Sequence, residues 1–449
     1  MAANKRLNIT QDPVTTVLSR LMIPMIPGIL GMVLFNLADT YFVGQLGTLQ
    51  IAALSFTFPV VLVINSLNAG IGIGASAVIS KAVGEEEKEK VVRLSTDSLT
   101  LGLLISIIVM TAGVLTITPL FRLLGADEAT LQYIKEYMRI WYIGVPFVVI
   151  PMIGNNAIRA LGDTKTPSIV MLVAAGINIA FDPLLIMGVW FFPEMGVSGA
   201  ALATVISRAV TLLFALYILI IRENVISLKK IHIRDLLQSW KAILFIGMPN
   251  AIAKMIIPLG TGIITGLIAA YGTKAVAGYG IATKIEFFAI SVINALIAVI
   301  PVFVGQNFGA KKYDRIKRGF SFSERFSIIN GIVLYAVLAV LARPISRLFT
   351  KDPGVIDTIV LYLRIVPAGY AFMGIVQIIN GIYNALQKPI KAAAVNLTQM
   401  LVVYVPLAVL ASRFFGIYAI FISLAASYGI VGIVAHTRLK NDLTVLRDG

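Results

Sequence analysis

Long apolar stretches alternate with short charged ones along the whole chain. The apolar runs reach about 20 residues or more, enough for a helix to cross a bilayer. They predict twelve spans, at approximately 15–44, 51–80, 93–119, 131–157, 166–190, 196–221, 237–271, 275–306, 318–343, 356–385, 388–412 and 416–436. The expected fold class is an all-α polytopic membrane protein.

The second half of the chain repeats the first at one constant offset, with no gap needed over a long stretch. Pro24, Gly47, Thr48, Gly84, Arg122, Asp127, Tyr137, Arg139 and Leu161 recur as Pro249, Gly272, Thr273, Gly309, Arg347, Asp352, Tyr362, Arg364 and Leu386. Two pseudo-symmetric six-helix lobes are therefore expected: residues 1–221, a cytoplasmic linker at 222–241, and residues 242–449. Two membrane halves of like design commonly enclose a central site and give alternating access by rocking. The copies differ in their acids. Asp39 faces Ile264 in the alignment, and Asp182 faces Tyr404 once a three-residue deletion is allowed.

Composition agrees with a membrane protein. Mean hydropathy is +0.91, and charged residues are 13% of the chain, about half the share of a soluble protein. No short apolar segment precedes a small-residue cleavage site, so no removable signal peptide is expected. The net charge of +15 comes from loops between spans rather than from one basic face with interleaved aromatics, which argues against nucleic acid. With no cysteine and two histidines, His232 and His436, both near span ends, a protein-bound metal centre or other cofactor is not expected. Basic residues concentrate in alternate loops. One side holds Lys88, Lys90, Arg93, Arg159, Lys165, Arg222, Lys229, Lys230, Lys312, Arg315 and Lys391. The positive-inside rule places that side, with both termini, in the cytoplasm. The expected location is the cell membrane. The charged segment Arg222–Lys241 is expected to form a short amphipathic surface helix.

Ionisable residues inside spans are costly and mark pathways or relays. Asp39 lies late in the first span, within Asn36-Leu37-Ala38-Asp39-Thr40-Tyr41. Asp182 lies in the fifth, four residues after Asn178 and so on the same helix face. Pro183 cannot donate a backbone hydrogen bond, which frees the carbonyl of Ile179 beside them. This group suits a proton, a water network or a small hard cation. Na⁺ would be held by Asp39, Asn178, Asp182 and Thr204. Tyr137, Asn155 and Asn156 are candidates to line the substrate cavity, and each also suits a plain interhelical hydrogen bond. Pro24 is a candidate bending point in the first span. Glu286, in the eighth span, is the second-lobe candidate; pairing with Lys254 would make it structural. Asp97 and Glu324 lie near cytoplasmic ends and are expected to be wet. Gly70, Gly72 and Gly74 read as a packing stripe. No nucleotide loop, hydrolase elbow or zinc motif occurs, so an enzyme is not expected.

The chain resembles the multidrug and toxic compound extrusion (MATE) transporters, in particular their DinF-like prokaryotic branch. The likeness rests on Asn36 through Gly44, on Ala157-Ile158-Arg159-Ala160-Leu161-Gly162-Asp163-Thr164-Lys165-Thr166-Pro167, on Asn178 through Pro183, and on Gly196 through Thr204. It spans essentially the whole chain. It implies two six-helix lobes around a cavity and export of small cationic or amphipathic compounds across the lipid bilayer in exchange for H⁺ or Na⁺. It also implies that Asp39 and Asp182 carry the coupling, with Asn178, Thr204, Tyr137 and Asn155 near them and Pro24 at the bend. The sodium-coupled branch carries acids in spans seven and ten, and this chain has none there. A lipid-linked saccharide flippase of related architecture is the alternative; a membrane receptor or enzyme is the reading from another class. One chain is expected to act as a monomer.

Overall fold

A computed structural model describes residues 8–190, 192–227 and 232–448. Its helices are α1 (Val14–Met22), α2 (Met25–Val43), α3 (Thr48–Gly84), α4 (Lys88–Leu123), α5 (Glu128–Ile143), α6 (Val145–Ala160), α7 (Lys165–Ile186) and α8 (Gly196–Tyr217). They continue as α9 (Ile233–Ala269), α10 (Thr273–Ala289), α11 (Ser291–Gly309), α12 (Tyr313–Phe349), α13 (Pro353–Ile365), α14 (Tyr370–Ala385), α15 (Pro389–Leu397) and α16 (Val405–Asp448). No strand occurs among the described residues.

The twelve spans follow from this order. α5 and α6 form one span bent by 44° at Gly144. α1 with α2, α10 with α11, and α13 with α14 are likewise broken spans. The apolar run Pro389–Leu446 holds two spans, divided at Gly416, whose φ of 66° interrupts the helix.

The repeat is visible in the backbone. Gly47 and Gly272 are equivalent by the repeat, and they precede α3 and α10 with φ of 115° and 101°. These values favour glycine, because a Cβ is crowded there. Glu86 and Lys311 share the left-handed region, as do Gly162 and Gln387. Asp127 accepts the amide of Thr130 at 2.8 Å to cap α5, and its equivalent Asp352 accepts that of Gly354 at 2.9 Å to cap α13. Such caps satisfy amides that the first helical turn leaves open. Hydrogen bonding from Thr130 holds the Asp127 carboxyl below the usual carboxylate range.

Two compact units emerge: Ile23–Ala251, and the segment ending at Met22 together with the chain from Ile252 onward. The first span is thus shared. α2 packs chiefly on α7, while α1 packs on α11 and α12. The segment before α1 is tied down locally: Lys312 donates to the carbonyl of Thr10 at 3.0 Å, and Arg315 to that of Asp12 at 2.6 Å. Pro24 lies in the break, immediately before the first residue of α2.

The surface helix expected at 222–241 is not separate. From Ile233 the charged segment is the first turns of α9, which runs through 241 and on to Ala269. No helix-terminating pair of residues intervenes, and Trp240 anchors these turns by donating to the carbonyl of Asp97 at 2.9 Å. Lys229, Lys230 and Ile231 fall outside the described residues. Asp97 is buried, at 4% exposure, rather than wet. Glu324 is partly exposed and lies 3.2 Å from His436. The glycine stripe packs as expected: a Cβ at Gly70 or Gly74 would strike the backbone of Gly247 or Ile243 on α9.

Candidate functional site

In the unit Ile23–Ala251, α2 brings Asp39 to its last turns. The polar neighbours of Asp39 satisfy themselves on their own helix. Thr40 donates to the carbonyl of Asn36 at 2.7 Å, and Asn36 to that of Met32 at 3.0 Å. This back-bonding is the usual fate of short polar side chains within helices. It leaves Asp39, half-buried, with no hydrogen bond among the described residues.

α7 carries Asn178 and Asp182 with 0% exposure. The two oxygens of Asp182 and both amide atoms of Asn178 are buried without a hydrogen-bond partner. The Asn178 amide is close enough to act on the Asp182 carboxyl but does not meet it in hydrogen-bond geometry. An orphaned buried polar group costs about 1–3 kcal/mol, and a charged one more. Such a pair persists only where something else uses it. Asp39 and Asp182 lie within electrostatic reach of each other, and both act on the hydroxyl of Tyr137, from α5. No lysine or arginine among the described residues pairs with either acid.

The other expected residues divide. The amide oxygen of Asn155 is buried and unpartnered, but no interaction ties it to the acids. Asn156 is engaged structurally: it donates to the carbonyl of Met152 at 2.8 Å, accepts from Arg159 at 2.7 Å, and packs against Gly72. Thr204 is half-buried on α8, and its carbonyl accepts from Ser207. The structure therefore brings together Asp39, Asp182, Asn178 and Tyr137.

Glu286, on α10 in the other unit, is not paired with Lys254. The Tyr362 hydroxyl donates to it instead. Tyr279, Tyr370, Tyr404 and Tyr428 complete an aromatic surround within its field. Phe421 packs edge-on against Tyr362 at 5.1 Å. This half-buried carboxylate has no counter-charge among the described residues and takes a hydrogen bond from a phenol instead.

The loop between α6 and α7 has a mechanical role. Asp163 accepts the amide of Thr166 at 3.0 Å and binds its hydroxyl. It also pairs with Arg222, which donates to Thr166 at 2.9 Å. Burial works against the Asp163 carboxylate, but the donors Thr166 and Arg222 outweigh it and hold the group below its usual range.

Sequence reading missed Arg208. Its guanidinium lies on α8 over the Phe35 ring, 5.5 Å from the centroid. The signal was present: a lone basic residue in the middle of an apolar span.

The MatE family profile matches residues 24–184 and 249–410, one match in each half of the repeat. Over 96% of this chain and 95% of the relative, 34% of residues are identical to a protein of Shewanella oneidensis named FAD transporter. The multidrug export protein MepA of Staphylococcus saprophyticus is 26% identical over 92% of this chain and 90% of its own. The crystal structure of the Vibrio cholerae MATE transporter VcmN in the bent form superposes with a TM-score of 0.89 at 28% identity, covering 96% of this chain and 98% of that one. The twelve spans, the duplicated halves and these matches make the chain a member of the MatE family, a multi-pass membrane transporter and not an enzyme.

Proposed function

We propose that the protein is a secondary antiporter that exports cationic or amphipathic compounds in exchange for H⁺ or Na⁺ by alternating access. The observation that carries this reading is the orphaned pair Asn178 and Asp182 with Asp39 in its field. The group holds negative charge in an apolar setting without a basic partner. A proton, a sodium ion or a cationic substrate would each neutralise it, so they compete for one site. Binding of the coupling ion on one side of the membrane then drives release of the substrate there. Each occupant shifts the transporter between states only by its differential affinity for them. Asn178, the freed carbonyl of Ile179 and Thr204 would complete a Na⁺ shell. The Tyr137 hydroxyl would hold the cavity end of the network.

The remaining assignments accompany this reading. The lobes divide near 222–241, both termini are cytoplasmic, the location is the cell membrane, and the chain works as a monomer. A second reading, transport of a flavin dinucleotide, draws on the 34% identity to the Shewanella oneidensis relative named FAD transporter.

The test is transport in proteoliposomes. A cationic dye should be moved under an imposed pH or Na⁺ gradient and should stop moving when the gradient is collapsed. Movement indifferent to both gradients would remove the antiport reading.

A further inference from the structure

We propose that Arg208 is a substrate-contacting residue that gives the cavity between α2, α7 and α8 a place for an anionic group. The compounds carried would then include flat amphipaths bearing a phosphate or carboxylate. This deepens, and rests on, the transport reading above.

Arg208 lies near the middle of the span Gly196–Arg222. The two ends are about 18 and 21 Å away along the helix, farther than an arginine side chain can stretch to reach water. It has no hydrogen bond or ion pair among the described residues. Its guanidinium lies against the face of Phe35. A charge kept in the membrane interior without a partner marks a substrate or ion pathway.

Its surroundings fit that role. A cavity of about 20 Å³ is lined by Met32 and Phe35 from α2, Met171, Ala174 and Ala175 from α7, and Ser207 with Arg208 from α8. That space admits about one water-sized group, such as one oxygen of an anion, with the remainder of a ligand outside it. Helical register sets the cavity beside the acids. Phe35 precedes Asp39 by four residues, Ala174 precedes Asn178 by four, and Arg208 follows Thr204 by four. Each step is a little over one turn, about 6 Å along the axis. Phe35 offers a ring face for a flat ligand, and the guanidinium offers a planar fork that matches carboxylate and phosphate.

The experiment is equilibrium binding to the purified full-length protein, using riboflavin and riboflavin 5′-phosphate. The two share a ring and differ by the phosphate. The phosphate form should bind about tenfold tighter. Arg208→Met should abolish the preference, so that the two flavins bind that variant alike, while Arg208→Lys should keep part of it. Equal binding of the two flavins by the unmodified protein, no binding of either, or a preference that survives in Arg208→Met would each overturn the inference. If Arg208→Met does not fold, Arg208→Gln, which removes the charge and keeps a polar side chain, decides by the same comparison. Dye antiport in proteoliposomes is a separate readout. Its loss alongside an intact phosphate preference would remove the transport reading and leave the anion site standing.

Discussion

Tyr137 and Tyr362 occupy equivalent places in the two repeats, and each faces an intramembrane carboxylate of its own unit. The carboxylates are not equivalent. Tyr362 donates a hydrogen bond to Glu286, whereas Asp182 has no hydrogen-bond partner among the described residues. The repeat keeps the tyrosine, whereas the acids of the two copies stand at non-equivalent positions.

That contrast predicts different tolerances. Glu286 already accepts a hydrogen bond from Tyr362, so Glu286→Gln should keep at least partial export. Tyr362→Phe should be the more damaging change to stability, by about 1–3 kcal/mol, because it leaves a buried carboxylate short of a donor. Dye export and thermal unfolding of the two variants check this. Complete loss of export in a well-folded Glu286→Gln protein would move the coupling site to the second half.

The clamp of Asp163, Thr166 and Arg222 joins the loop before α7 to the end of the α8 span. Asp163→Asn should lower the unfolding free energy by about 0.2–1 kcal/mol, the usual worth of a solvent-accessible ion pair, because the amide keeps an acceptor for Thr166 but loses the charge opposite Arg222. The pH dependence has a definite sign. The folded-state carboxyl is held below its ordinary value, near 4 in an unfolded chain. The contribution is therefore fully present above about pH 4 and is lost as pH falls through the folded value. Thermal melts of the protein and Asp163→Asn should converge at low pH. A constant gap would contradict this account of the loop.

Pro24 stands where the first span changes allegiance, with α1 packed on α11 and α12 and α2 packed on α7. It leaves the carbonyl of Arg20 without its intrahelical donor, so bending there costs little. The bend should respond to protonation of Asp39 and Asp182, since neutralising them removes their mutual repulsion. The straighter form should dominate when the acids are charged. Spin-label distances across this span at high and low pH should differ, and Pro24→Ala should reduce that difference and slow transport. One distance at both pH values, with normal transport by Pro24→Ala, would exclude the switch.

Much of this was legible in the sequence because membrane physics leaves few options. Twelve apolar runs and a constant offset give the spans and the repeat, since an apolar run must be helical in lipid. Asp39, Asn178 and Asp182 stood out because polar groups in such runs are rare. The breaks at Gly144 and Ile290 were not legible, because the runs around them stay apolar throughout. Asn156 looked like a cavity residue by type, yet its amide is spent on Met152 and Arg159, a choice made by packing against Gly72. Glu286 looked like a partner for Lys254 by charge alone. The tyrosine that donates to it, Tyr362, comes from α13, far along the chain. Arg208 was legible but overlooked among the basic residues of the loops.

The most direct measurement compares the unmodified protein with Asp39→Asn and Asp182→Asn in proteoliposomes. Dye movement and H⁺ or Na⁺ movement would be followed together, with thermal unfolding of each purified variant as a control for folding. Both variants should fold as well as the unmodified protein, since each replaces a carboxylate that makes no hydrogen bond. Both should lose gradient-driven export by at least about tenfold, together with the matching ion movement. Unchanged coupled transport in both well-folded variants would contradict the central claim that these two carboxylates carry the exchange.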